Sequence, residues 1–368
     1  MMLPMEQNRA ARVLRATDGT AGAGLDGLII SPSPDLIYLT GYDAPLLERL
    51  TALILGRDGD PVLIVPELER PRAAASPAGE LTELLTWRDG EDPYDLVRKI
   101  AGGRAYGVSD RMWATHLLEL QSALPDVKFV AASTVLGPLR IRKDEAEVEL
   151  LTRAARGADE SFRRLRERRL EGRTEKEVAR SLEELLLAND HDSVAFTIVG
   201  SGPEGASPHH EPTERVIRRG DAVVLDFGGR VGGYCSDITR TVAVAEASPE
   251  VEKVQAVVRE AQEAAFLAVR PGVAAEEVDL AARTVIEGAG YGDAFIHRTG
   301  HGIGLEEHEG PYIVAGNRQP LEPGMCFSIE PGIYLEGRFG VRIEDIVTVT
   351  ENGAVRLNEA PRDLVVFD

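Results

Sequence analysis

Two domains are expected from this chain: an α/β domain, then an α+β domain with a curved, mainly antiparallel sheet. Three observations predict this. The length, 368 residues, is long for a single core. Strand-like runs alternate with helical patterns over about the first 135 residues. Past the stretch 136–143 the pattern changes to long helices and to two hairpin-like pieces built around carboxylates. The domains are set at 1–136 and 137–368.

The first domain opens with an amphipathic helix over 6–17. LDGLIISP (25–32) reads as a buried strand, and DLIYLTGY (35–42) begins another element. In LTALILGRDGDPVLIVP, Asp58-Gly59-Asp60 splits two apolar runs, a hairpin signal. A helix through 67–75, a strand at LTWRD, a helix over 93–101, a strand at AYGVSD, a helix in RMWATHLLELQSAL and a strand at KFVAAS follow. The second domain starts with a long helix in LRIRKDEAEVELL, with Leu150 and Leu151 on its apolar side. Thr174 and Glu177 form a capping box for a helix ending near Asn189. TIVGSG is a strand. Ser248 caps a helix that Pro249 opens and that runs to about Val269. A further helix spans 274–287 and stops at Gly288.

Composition narrows the class. Hydrophobic residues make up 43%, enough for a sizeable core. A formal net charge of −20 argues against binding to nucleic acid or an anionic membrane. The two cysteines, Cys235 and Cys326, make no disulfide framework and are read as buried thiols in a reducing compartment. The first residues carry no long apolar run, so neither a signal peptide nor a membrane span is expected, and the cytoplasm is the expected location.

The carboxylates are the strongest signal. In VVLDFGGRVGGYCSDITRT, Asp226 and Asp237 end two β-like runs whose midpoint falls between Val231 and Gly232. A tight hairpin centred there sets the two aspartates opposite each other. In SIEPGIYLEGRFGVRIEDI, Glu330 and Glu344 have their midpoint at Gly337, which predicts the same opposition. Opposed like charges destabilise a hairpin, and carboxylates are disfavoured in strands of Val, Leu, Ile and Phe. A fold that does this twice is expected to hold a cation. Between the two pieces lie His297, His301 and His308, threaded with Gly300, Gly302 and Gly304. Four carboxylates and an imidazole offer ligands for two divalent ions. At a spacing of about 3.5–4 Å such ions form a hydrolytic site that activates a bridging water. Oxygen-rich ligands with one imidazole suit Mn²⁺, Co²⁺ or Zn²⁺, and the ligand set alone does not choose among them; Mn²⁺ is the expected ion, with Co²⁺ or Zn²⁺ as alternatives.

Other motifs lead nowhere. Gly200 to Gly205 matches G-x-G-x-x-G, but Ala-Ser-Pro-His-His follows instead of a helix, so no dinucleotide site is expected. G-x-S-x-G, P-loop and H-E-x-x-H patterns do not occur.

The combined set D-F-G-G, Y-C-S-D-I-T-R-T, H-R-T-G-H-G-I-G-L-E-E-H-E, S-I-E-P-G-I-Y and V-R-I-E-D-I resembles the metallopeptidases of the pita-bread fold. Within them the chain is similar to Xaa-Pro dipeptidases (prolidases) and to aminopeptidase P, over essentially its whole length. The resemblance implies that Asp226, Asp237, His301, Glu330 and Glu344 are the metal ligands. It implies that Glu330 is the proton acceptor, and that His209 and His308 assist on the substrate side. His297 is expected as a substrate contact or as a partner of a ligand. Arg342 shares a strand face with Glu344 and is expected to contact substrate or to fix the ligands. His210 is read as an exposed neighbour of His209. A dipeptidase needs a cation for the free C-terminal carboxylate of its substrate, and Arg318 and Arg49 are the candidates, Arg49 reaching a neighbouring subunit. Where some prolidases carry a tyrosine, fourteen residues before His209, this chain has Ala195. That hydroxyl is therefore absent or comes from elsewhere.

The expected substrate is a small proline-containing peptide, and family members are often dimers, so a homodimer is expected. The leading reading is hydrolysis of Xaa-Pro dipeptides. Aminopeptidase P activity on longer peptides is the alternative. A non-catalytic binding module of the same fold is the remote one.

Overall fold

The computed structural model describes residues 4–57 and 60–367. It divides into two compact units, Met1–Arg140 and Ile141–Asp368.

In the first unit the elements run α1 (Pro4–Gly22), β1 (Gly27–Ile30), α2 (Pro34–Thr40), β2 (Ala52–Gly56), β3 (Val62–Pro66), α3 (Arg70–Ala75), α4 (Ala78–Leu81), β4 (Glu83–Trp87), α5 (Tyr94–Ile100), β5 (Ala105–Val108), α6 (Ala114–Ala123), β6 (Lys128–Ala131) and α7 (Ser133–Arg140). Strand and helix alternate as the sequence pattern requires. The sheet order is β4-β3-β2-β1-β5-β6. β1, β2 and β3 pair antiparallel, and the outer pairings are parallel. Asp58 and Gly59 of the expected turn lie outside the described residues, but the strands on either side do pair, Ile54 opposite Val62. DLIYLTGY is a helix. Ser33 caps it by accepting from the Leu36 amide, Pro34 opens it, and Gly41 closes it at φ 72°.

The second unit contains α8 (Glu145–Leu165), α9 (Glu175–Ala188), β7 (Ser193–Ser201), β8 (Ala222–Val231), β9 (Tyr234–Cys235), β10 (Ile238–Val244), α10 (Pro249–Ala268) and α11 (Ala275–Gly288). It continues with β11 (Gly300–Gly302), β12 (Glu309–Ile313), β13 (Cys326–Ile329), β14 (Gly332–Leu335), β15 (Phe339–Arg342), β16 (Asp345–Thr350), β17 (Gly353–Arg356) and β18 (Val365–Phe367). The helix starts follow from local chemistry. Asp144 with Glu147 and Thr174 with Glu177 make complete capping boxes, and the Ser248 hydroxyl accepts from the Val251 amide.

Two sheets and a hairpin result. One sheet runs β18-β10-β8-β7, with β9 on β8; the other runs β12-β11-β13-β16-β17; β14 and β15 pair with each other. Apart from β10 with β18, every pairing in this unit is antiparallel among the described residues. Each sheet has its own core. Phe162, Leu182 and Leu186 of α8 and α9 pack with Leu225, Phe227 and Val242. Val254, Val258, Val278 and Ile286 of α10 and α11 pack with Phe327, Val341 and Val347. Burying these apolar faces stabilises the layers at about 25 cal/mol per Å².

Candidate metal centre

The first sheet delivers Asp226 from β8 and Asp237 from the residue before β10. The turn between them is Gly232-Gly233, at φ 57° and 86°, as a two-residue hairpin demands. That turn sets Arg230 opposite Cys235 and Asp226 opposite Thr239. The expected opposition of Asp226 and Asp237 is therefore corrected. The aspartates are diagonal neighbours, and Thr239 faces Asp226. Alternation still leaves both on one face of the sheet.

The second sheet delivers His301 from β11, Glu330 from just after β13 and Glu344 from just before β16. Gly332 pairs with Arg342 and Ile329 with Asp345. Both pairings continue one register, and that register sets Glu330 against Glu344, as the midpoint at Gly337 predicts. Glycines flank His301 because the chains there nearly touch. A Cβ on Gly300 would lie 1.9 Å from the Ser328 carbonyl, and one on Gly302 would lie 2.0 Å from that of Gly310.

Hydrogen bonds join the sheets at the site. The Thr239 hydroxyl donates to Glu344 Oε2 at 2.7 Å, and the Glu344 amide donates to the Thr239 carbonyl at 3.1 Å. One ligand atom each from Asp237, His301 and Glu344 lie within 4.8 Å of one another, a group able to hold a metal ion. Glu330 Oε1 is 3.2 Å from His301 Nε2. Asp226 Oδ1, Asp237 Oδ1 and Glu344 Oε1 are buried with no hydrogen-bond partner. Unpaired buried carboxylate oxygens are costly unless a cation meets them, so these residues fit a divalent metal. Burial, then the neighbouring carboxylates, raises the Asp237 and Glu344 pKa values well above the usual range. At Glu330 burial pulls upward too, but His301, His297 and Arg342 outweigh it and hold that carboxyl down at about 2.

These groups line a cleft of about 910 Å³, together with His209, His297, Arg298, Glu307, His308, Arg342 and the apolar Phe196, Ile198 and Ile296. His308 stacks edge-on against His301 at 4.1 Å between ring centroids. His297 sits between the Arg298 carbonyl, 2.7 Å from Nδ1, and the Tyr334 hydroxyl, 2.8 Å from Nε2.

Arg342 does not reach outward. Its buried guanidinium bonds Asp226 Oδ2 at 2.6 Å, the Tyr334 hydroxyl at 2.7 Å and the Thr239 hydroxyl at 3.1 Å. Three further residues named from the sequence are placed as follows. Arg318 points away into solvent, its side chain 88% exposed and its nearest acid Glu276 at 3.6 Å, because it stands on the loop between β12 and β13. Arg49, in the first unit, is forked onto Asp89 with a further bond to Glu48. His210 is buried rather than exposed, its Nε2 2.8 Å from Glu175 Oε2. The buried Glu175 carboxylate collects further bonds from Ser201 and Thr213 and so ties down the loop that carries His209.

Sequence reasoning passed over Tyr334, Thr239, Glu175 and Arg298. Tyr334 stands in S-I-E-P-G-I-Y, four residues after Glu330, and its hydroxyl lies 2.7 Å from Arg342 Nη1 and 2.8 Å from His297 Nε2. The Gly232-Gly233 pair was the available signal for the aspartate register. Both cysteines are free and buried, and burial pushes the Cys235 thiol up to about 12. No helix of the described residues is long and apolar enough to cross a membrane.

A cleft with partnerless buried carboxylate oxygens around an imidazole is what a metal-dependent hydrolase requires. Comparison with known proteins agrees. Residues 149–351 match metallopeptidase family M24, and residues 12–142 match the creatinase/prolidase N-terminal domain. A probable dipeptidase PepE of Mycobacterium tuberculosis is 50% identical over 97% of this chain and 96% of its own. An Xaa-Pro dipeptidase of Lactobacillus helveticus is 36% identical over 92% of this chain and 94% of its own. The crystal structure of a prolidase from Thermococcus sibiricus superposes with a TM-score of 0.91 at 40% identity, covering 97% of this chain and 98% of that one. The chain belongs to metallopeptidase family M24 and has the two-domain architecture, with a pita-bread catalytic domain, that the sequence resemblance implied.

Proposed function

We propose that the protein is an Xaa-Pro dipeptidase, and that Asp226, Asp237, His301, Glu330 and Glu344 hold two divalent ions, Mn²⁺ in preference to Co²⁺ or Zn²⁺. The observation that carries this reading is the set of buried carboxylate oxygens left without partners in one cleft with His301. Relatives named dipeptidase, Xaa-Pro dipeptidase and prolidase support the substrate class. The scissile bond before proline is a tertiary amide with no N–H, so recognition falls to shape. Phe196, Ile198 and Ile296 give the cleft an apolar wall for the ring.

When bound, the ions supply a Lewis acid for the scissile carbonyl and lower the pKa of the attacking water. The protein's own residues do the rest. Glu330 accepts the proton of the water and returns it to the prolyl nitrogen. Ser328 donates to its Oε1 at 3.0 Å and keeps it aimed. His209 and His308 line the cleft as donors for the developing oxyanion and the leaving nitrogen. Burial, then the charges of His301 and Arg298, lowers the His308 pKa to about 4.

The enzyme is further proposed to be a cytoplasmic homodimer. Two buried free thiols accord with a reducing compartment, and a monomeric mass by light scattering would remove the dimer. The test of function is a paired assay on Mn²⁺-loaded protein with Ala-Pro and Ala-Pro-Gly. Cleavage of the dipeptide alone is expected. Preference for the tripeptide would make the enzyme an aminopeptidase P. Cleavage of neither, with metal bound, would leave a binding module.

A further inference from the structure

Arg240 of β10 is among the largest fully buried side chains of the described residues, and its five N–H donors meet five acceptors. Nε donates to the Pro361 carbonyl at 2.8 Å. Nη1 donates to the carbonyls of Thr239 at 2.9 Å and Glu344 at 2.5 Å. Nη2 donates to Asp345 Oδ1 at 2.6 Å and to the Ala360 carbonyl at 2.8 Å. Alternation puts Asp237 and Thr239 on the cleft face of this run and Arg240 on the other. The guanidinium therefore clamps the crossing of the two sheets from outside the cleft. At that crossing Thr239 already holds the Glu344 amide and Oε2. With Arg240 on its carbonyl, only Oε1 of Glu344 is left without a partner. The remaining bonds of Arg240 lead outward to the segment 358–363. On α8, Asp159 accepts from the Glu359 amide and from the Asn358 side chain. On α10, Gln255 donates to the Arg362 carbonyl at 3.2 Å. Arg362 turns back inward, its Nη1 3.1 Å from Asp345 Oδ2.

We propose that Arg240 is a positioning residue for Glu344, and that the segment 358–363 acts through it as a strap that fixes the metal centre from outside the cleft. The proposal rests on the reading of Glu344 as a metal ligand. Five acceptors from three separate stretches of chain suit a planar guanidinium, whereas an ammonium has three donors and reaches fewer of them. A carboxylate whose backbone can shift loses the aim of its free oxygen, and weaker cation binding follows. The strap also carries the effect to residues that no substrate in the cleft touches. Asp159 is one of these: it lines a separate surface cleft of about 360 Å³ together with Glu359, Ala360 and Pro361.

Wild-type protein, Arg240→Lys, Asp159→Ala and Ser248→Ala are compared after metal removal. Chelator-buffered titration reads the Mn²⁺ dissociation constant of each, and thermal denaturation reads its unfolding midpoint. Arg240→Lys should weaken Mn²⁺ binding about 10- to 100-fold. Asp159→Ala should weaken it in the same sense by a smaller factor, and it carries the test if Arg240→Lys does not fold. Ser248→Ala removes the cap of α10 and no bond of Arg240 or the strap. It should lower the midpoint and leave the dissociation constant as in wild type. A wild-type constant in folded Arg240→Lys would overturn the positioning role, and one in Asp159→Ala would overturn the strap. Weakening in Ser248→Ala equal to that in the other variants would reduce the effect to lost stability and overturn both. Wild-type protein that binds no Mn²⁺ would overturn the metal-centre reading itself, and with it this proposal.

Discussion

Arg342 bonds Asp226 through Oδ2 at 2.6 Å and leaves Oδ1 of the same carboxylate buried without a partner. One oxygen is fixed by the protein and the other is left for a cation. The guanidinium also holds Tyr334, whose hydroxyl reaches His297. A single side chain thus orients an aspartate proposed as a metal ligand and a histidine of the cleft.

Replacing Arg342 by Lys keeps the charge and loses the fork, since an ammonium cannot serve Asp226, Tyr334 and Thr239 from one plane. Metal affinity should fall about 10- to 100-fold, the usual cost of removing a partner that orients a ligand. A chelator-buffered metal titration measures it, and an unchanged affinity would sink the idea.

Glu330→Gln keeps the shape and removes the base. Turnover of Ala-Pro should fall by about 10²–10⁴-fold, while at least one metal ion remains bound by elemental analysis. Near-normal turnover would refute Glu330 as the proton acceptor.

Metal binding should release protons. In metal-free protein, burial and mutual repulsion raise the Asp237 and Glu344 pKa values well above 3.8 and 4.5. Groups raised in the folded state favour folding below their unfolded pKa values, and that contribution is lost as pH rises through the folded ones. Metal-free protein should therefore lose thermal stability as pH climbs from about 4.5 through those raised values. Saturating Mn²⁺ should suppress the loss, adding about 2.7 kcal/mol at a hundredfold excess over Kd. Calorimetry in buffers of different ionisation enthalpy should detect the released protons. A metal-binding heat independent of buffer would contradict this account.

Glu175 anchors the His209 loop, and its own pKa is lowered. Burial pushes it up, but bonds from Ser201, His210 and Thr213 outweigh burial. A depressed carboxyl stabilises above its unfolded pKa, and the benefit disappears as pH falls through the folded value. Glu175→Gln should be less stable than wild type by about 2–4 kcal/mol at pH 7. The gap should narrow below pH ~4.5 as the wild-type carboxyl takes up its proton. Urea unfolding at pH 7 and pH 3.5 compares them, and a gap that ignores pH would argue for packing alone.

Much of the site was legible in one dimension. Capping at Thr174 and Ser248 depends on residues three positions away, and both helices start where those residues require. The register that brings Glu330 to Glu344 follows from the short turn around Gly337. The carboxylates stood out because they interrupt strands that otherwise have every reason to be apolar.

Partnership and burial were decided only in three dimensions. Arg342 and Asp226 are 116 residues apart in sequence, and His210 and Glu175 are 35 apart. Nothing local tells a solvated loop histidine from one that closes on a buried acid. Nor does composition say that Arg318 faces water while Arg298 faces the cleft, since side-chain direction depends on where each loop crosses its sheet. By itself the sequence determined the order of elements, their caps, and the acids and imidazole that meet in the cleft. The tertiary structure decided which cation each acid keeps and which face of the chain looks inward, because hydrogen bonds and desolvation act between neighbours in space and are blind to distance along the chain.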